Sequence, residues 1–134
     1  MLRKFVSQTT TAVTATVAVC LLSTSAAWAE ASLAEMGKRH FIRCSACHSV
    51  TADGPSHLEG PHLEGIVGRL AGSVEGYNYT QPELISQSFH WDEATLDQWL
   101  TKPHDLIPDM CLPFFGLPRE EHRKALIEFL KTRD

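Results

Sequence analysis

"FIRCSACHSV", residues 41–50, places two thiols, Cys44 and Cys47, two residues apart and an imidazole, His48, directly after the second. Such a cluster suits three chemistries. A redox dithiol uses C-x-x-C, a zinc site uses it as half of its ligand set, and a covalently attached haem uses C-x-x-C-H. The rest of the chain has to decide among them.

The amino terminus bears on the compartment. Arg3 and Lys4 form a positive start, residues 11–27 carry no charge, and Ala27-Trp28-Ala29 supplies a small-x-small cleavage pattern before Glu30. This pattern predicts a secretory signal over residues 1–29 and a mature domain over 30–134. The competing reading is an uncleaved membrane anchor, because the apolar run approaches the roughly 20 residues that a bilayer span needs. The run is rich in Thr and Ser, not Leu. A lipid anchor through Cys20 would want a small residue where Val19 stands.

Loss of residues 1–29 leaves 10 cations and 16 anions, a formal balance of −6. Nucleic acid is then a poor partner, because no basic stripe is present to follow a phosphate backbone. Three of the four cysteines remain, an odd number for an exported protein, and Cys111 stands apart from the pair.

Leu33, Met36, Phe41 and Ile42 suit an imperfect amphipathic helix from residue 33 to about 46. Six glycines and two prolines between Asp53 and Tyr79 exclude a regular element there. Leu63, Ile66, Val67 and Leu70 give that loop something to bury, so order is expected. Asp92 can cap a helix to about Thr101, with Leu96, Trp99 and Leu100 on one face, Trp91 as its staple and Pro103 as its stop. A last helix over about 119–132 has Ala125, Leu126, Phe129 and Leu130 as its apolar face, with acids first and bases last.

No segment alternates at period two. The expected class is a small all-α domain with long loops, and so little regular structure needs something more to fill its core. A haem fills it. Two residues between the cysteines let both sulfurs reach the vinyl groups of one porphyrin edge, and His48 then falls under the iron. A redox dithiol belongs beside a βαβ pattern, which is missing here. Zinc would need two further ligands, for which His57 and His62 are the candidates.

With the motif placed, the chain resembles class I monohaem c-type cytochromes of the mitochondrial and bacterial c2-like branch, from Met36 to Lys131. Beyond "CSACH", the resemblance rests on "GPHLEGIVGRLAG" (60–72), "GYNYT" (76–80), "WDEATLDQWL" (91–100), "KPHDLIPD" (102–109) and "ALIEFL" (125–130). It implies three to five short helices wrapped with long loops around one covalent haem c. It further implies that the Pro61 carbonyl holds the proximal imidazole and that Arg69, Tyr77, Tyr79 and Trp91 line the propionate edge. Trp99 stands where the family commonly has a distal tyrosine, so packing against the haem is its implied role.

"LIPDMCLPFFGL", residues 106–117, departs from the family. The distal ligand there is a methionine shortly after the loop's proline, and an ungapped alignment puts Leu112 at that position. Leucine cannot ligate iron. Met110 is the sole methionine of this loop and is the expected ligand beside His48. Cys111 as thiolate, His104, or an open site are the alternatives.

The expected function is that of a periplasmic electron carrier for dehydrogenase, oxidase or reductase partners, not an enzyme. The alternative is a haem protein whose open or thiolate distal site binds a small ligand or catalyses redox chemistry. The family surrounds its exposed edge with lysines. Here Arg43 and Arg119 remain, His104 and Cys111 replace cations, and steering toward acidic partners should be weak or reversed.

Overall fold

Among the described residues a glycine lets the first helix meet the last. The computed structural model describes Trp28 and residues 32–55, 58–108 and 110–133; the rest of the expected signal segment, His57 and Asp109 lie outside the described residues. Residues 32–134 form one compact unit and residues 1–31 another.

Helix α1 covers residues 32–40. Its buried Gly37 sits where a Cβ would fall on the Ala125 carbonyl and press on Phe129, so only glycine allows this approach. Nearby, the rings of His40 and His122 stack with centroids 4.0 Å apart. The chain then tightens into a 3-10 turn, Phe41–Arg43, sooner than the expected end near residue 46. The tighter winding turns Ile42 outward, where it is 72 % exposed, while Phe41 packs on Phe129.

The glycine-rich stretch is ordered by backbone hydrogen bonds to distant segments, which is how irregular chain satisfies its polar groups. Leu63 N–H donates to the Ser49 carbonyl (2.8 Å), Ala71 to Phe89 (2.9 Å), and Gly65 to Arg133 (3.1 Å). Ile66 is buried, with Leu63 and Val67 packed beside it. One isolated antiparallel bridge, Leu70 to His90, is the whole of the extended pairing among the described residues.

A proline starts α2 (Pro82–Ile85), which buries Leu84. Asp92 caps α3 (Glu93–Thr101) by accepting from the Thr95 N–H at 2.8 Å, as expected. Pro103 stops α3 by forcing Lys102 out of helical geometry (φ −150°, ψ 88°), and then opens α4 (Pro103–Leu106) as its first residue. Helix α5 (Glu120–Lys131) buries Ala125, Leu126, Phe129 and Leu130 as expected, and also Ile127 and Arg123.

Arg123 was outside the expected apolar face. Its Nε donates to Asp97 Oδ1 at 2.7 Å and one terminal nitrogen to the Leu117 carbonyl at 3.0 Å. A charge that deep is tolerated because its donors are answered by a carboxylate and by carbonyls. The result is a tie between α3, α5 and the end of the 110–117 segment.

Two apolar clusters result. One joins α3, α5 and Ile66, with Cys44, Phe41 and Phe114 against it. The other joins Ala71, Leu84 and Ile107, with Tyr79, Phe89, Leu106 and Met110 against it. Trp91 and Trp99 pack on both.

Candidate functional site

The three motif residues lie on one continuous turn. The Cys44 N–H bonds to Phe41, and the Cys44 carbonyl accepts from both Cys47 (3.0 Å) and His48 (2.9 Å). Both cysteines are free thiols and half-buried. Burial pushes the Cys44 thiol up to about 11, the neighbouring Cys47 adds to the rise, and Arg43 works against it.

His48 is held by a residue thirteen positions on. Its Nδ1 lies 2.7 Å from the Pro61 carbonyl oxygen, which can only accept, so Nδ1 carries the proton and Nε2 keeps its lone pair. Burial lowers the His48 pKa more than the Pro61 bond raises it, which keeps the ring neutral and fit to bind a metal. Gly60 makes the approach possible, since a Cβ there would overlap Cε1 and lie 2.6 Å from Nδ1. The Gly60 N–H also donates to the Cys47 carbonyl at 2.8 Å, closing the loop onto the motif.

Arg69 faces the same loop. Its guanidinium donates to the carbonyls of Glu64 (2.7 Å) and His62 (2.9 Å), and burial draws its pKa down. Tyr77 Oη donates to the Glu59 carbonyl at 2.7 Å, and its ring meets Tyr79 edge-on at 4.7 Å. Tyr79 Oη accepts from the Val74 N–H at 3.4 Å; burial raises the phenol's pKa.

Trp91 exchanges backbone bonds with this segment, donating to Arg69 and accepting from Gly68, both at 2.8 Å. Its indole stands edge-on between Phe89 (4.9 Å) and Trp99 (5.5 Å). Phe89, Trp91 and Trp99 therefore make one aromatic wall, and Met110 packs on the cluster that includes it. Cys111 is exposed, as is His104.

The structure thus joins Cys44, Cys47, His48 and Pro61 in one group, links Arg69, Tyr77, Tyr79 and Trp91 through the adjoining loop, and puts Trp99 with Met110. Sequence reasoning missed Gly60, Phe89 and Ile107. Gly60-Pro61 as a pair and the x-Phe89-x-Trp91 spacing are the signals that could have found the first two.

A neutral imidazole with one nitrogen committed to a carbonyl, two cysteines on the same turn and a cluster of packed rings fit a protein that attaches a haem through C-x-x-C-H. Among the described residues no three His, Cys, Asp or Glu gather as a metal site; His57, one of the two zinc candidates, lies outside them. Residues 34–134 match the family model for cytochrome c, and the chain belongs to that family. It is 42 % identical over 92 residues to cytochrome c2 iso-2 of Magnetospirillum molischianum, covering 69 % of this chain and 92 % of the relative. It is 39 % identical over 98 residues to cytochrome c-550 of Ancylobacter novellus, covering 72 % and 91 %. The solved structure of cytochrome cH from Methylobacterium extorquens superposes with a TM-score of 0.65 at 34 % identity, covering 74 % of this chain and 97 % of that one.

The fold is accordingly the small all-α cytochrome c fold, and the cofactor is a single covalent haem c. The residues present fit that group: two free thiols for its two thioether bonds, His48 Nε2 for its iron and the aromatic wall for its face.

Proposed function

We propose that the protein is a periplasmic one-electron carrier, attached to its haem through Cys44 and Cys47 and ligating iron with His48 and Met110. The observation that carries this reading is the alternation of the distal segment. Met110, Leu112 and Phe114 are half-buried and Leu117 is buried, whereas Cys111, Pro113 and Phe115 are exposed. Burial alternates along this irregular stretch, with Met110 on the inward side and Cys111 on the outward side. Met110 packs on the cluster shared by Trp91 and Trp99, which supports a thioether over a thiolate as the distal donor.

Bound haem supplies one reversible electron at iron. The chain's own residues keep that change small in structural terms. Pro61 fixes the tautomer and orientation of His48, so no proton moves at that ring when the charge on iron changes. The packed rings of Phe89, Trp91 and Trp99 would shield a bound haem from water, and a thioether from Met110 would raise its potential. Arg69, Tyr77, Tyr79 and Trp91 form the polar side toward which the haem carboxylates would point.

Residues 1–29 act as the export signal in this reading, and the product begins at Glu30. Mass spectrometry of the periplasmic holoprotein tests that start. A haem-bearing product that keeps Cys20 in the membrane fraction would replace it with the anchored form. Among the described residues no helix is long and apolar enough to cross a membrane.

Spectra of oxidised and reduced holoprotein, with and without carbon monoxide, test the ligation. The expected result is a six-coordinate ferrous protein that ignores carbon monoxide and shows a methionine methyl far upfield by NMR. Ready binding of carbon monoxide by the native protein would establish the ligand-binding alternative instead.

A further inference from the structure

His40, the last residue of α1, and His122, in the first turn of α5, stack their rings with centroids 4.0 Å apart and 29° between the planes. Their meeting is fixed by a neighbouring contact. Gly37 lets α1 touch the Ala125 carbonyl, His40 lies three residues on along α1, and His122 lies three residues back along α5. Residues three apart share a helix face, so the glycine contact sets both imidazoles at one crossing. Phe41 against Phe129, with centroids 5.6 Å apart, helps to hold it.

Two features separate this pair from an ordinary ring contact. The first is that, among the described residues, neither imidazole ring makes a hydrogen bond or an ion pair, so its nitrogens are uncommitted. Both residues are half-buried, which restrains the rings and leaves part of each open to solvent. The second is charge. Burial, His122, Arg43 and Arg39 all work against a proton on His40, so that ring keeps a lone pair for a metal. The two arginines oppose a dication as well, and Glu120 and Glu121 beside His122 are already paired with Lys124 and Arg119. A modest affinity is therefore expected.

Zinc binds neutral imidazole at about 2.0–2.1 Å in tetrahedral geometry, which places two nitrogens about 3.3 Å apart. Rings spaced at 4.0 Å reach that by a small rotation. Among the described residues no third His, Cys, Asp or Glu joins the pair, so water would fill the remaining positions.

We propose that His40 and His122 form a two-imidazole site for a zinc ion, which ties the first helix to the last. Each imidazole gives one lone pair, and two of the ion's waters leave. The site requires neither the carrier reading nor a particular distal ligand.

Zinc chloride titrated into the oxidised holoprotein at neutral pH, followed by calorimetry, tests it. One ion should bind per molecule, and the melting temperature should climb with zinc concentration, as for any ligand of the folded state. His40→Gln and His122→Gln should each weaken binding at least about tenfold with a native visible spectrum, and Cys111→Ala should leave binding unchanged. In NMR of the ferrous holoprotein, zinc should shift the Cε1 protons of His40 and His122, whereas magnesium, which wants oxygen ligands, should not.

Binding that survives either histidine substitution, or that is lost in Cys111→Ala, places the ion elsewhere and overturns the proposal. So does the absence of heat and of shifts at millimolar zinc. If a histidine variant loses its native spectrum, the parent protein decides: zinc-dependent shifts confined to other residues overturn the proposal, and shifts at this pair support it.

Discussion

The turn at residues 44–48 and the segment at 107–117 serve the same pair of tryptophans, yet they are held by different means. The turn is local: backbone bonds from Phe41 and Cys44 shape it within eight residues, and one further contact, Pro61 to His48, completes it. The distal segment, irregular through most of its length, is suspended instead from other elements. The Leu117 N–H donates to Leu100 of α3 at 2.6 Å, Arg123 of α5 grips the Leu117 carbonyl, and buried Ile107 anchors the other end. A local device should fail all at once, whereas a suspended one should loosen by degrees.

The largest expected effect breaks the local device. Cys44→Ser should abolish stable holoprotein, because the haem is part of the core as well as the cofactor; pyridine haemochrome content per milligram of export fraction measures it. Next comes the suspended side. Met110→Ala should yield holoprotein that binds carbon monoxide stoichiometrically and has a lower reduction potential, while Cys111→Ala should leave the spectrum unchanged. A changed spectrum in Cys111→Ala with none in Met110→Ala would reverse that assignment.

Two substitutions of intermediate effect compare the supports. Arg123→Ala leaves Asp97 and two carbonyl acceptors without their donor and should cost about 2–4 kcal/mol in denaturant unfolding. Its mark on the distal side should be partial carbon monoxide binding with the proximal side intact. Gly60→Val, which crowds the His48 ring, should cost about 1–3 kcal/mol and disturb the proximal side first.

The smallest effect concerns the stacked pair that joins α1 to α5. Burial, then His122, Arg43 and Arg39, lower the His40 pKa. The unfolded chain therefore binds this proton more readily, so the contribution to stability is complete above the ordinary imidazole value and is lost as pH falls through the lower folded value. His122→Gln should flatten the acid-side fall in melting temperature by about 2 °C relative to the parent. An identical pH profile would show that the stack carries no such linkage.

The C-x-x-C-H of residues 44–48 was legible because its spacing is a short-range requirement of geometry, whereas Pro61 came from the family resemblance and Gly60 was missed. The helix starts at Asp92 and Glu120 were legible for the same reason, as caps and dipole charges act within a turn. The burial of Arg123 was not. Its partners, Asp97 and the carbonyls of 117 and 118, are named by where α3 and the distal segment end up, not by any spacing along α5.

The distal segment divides most sharply between what the chain says and what the fold decides. From sequence, Met110 is the expected distal ligand, with Cys111 as thiolate, His104 or an open site as the alternatives, because an ungapped alignment puts Leu112, which cannot ligate iron, at the family's methionine position. The tertiary structure sorts these residues by burial: Met110 and Leu112 are half-buried, whereas Cys111 and His104 are exposed. No alternation of polar and apolar residues marks positions 110–115 in the letters, so which side chains turn inward is decided by contacts of this segment with α3, α5 and the second core cluster.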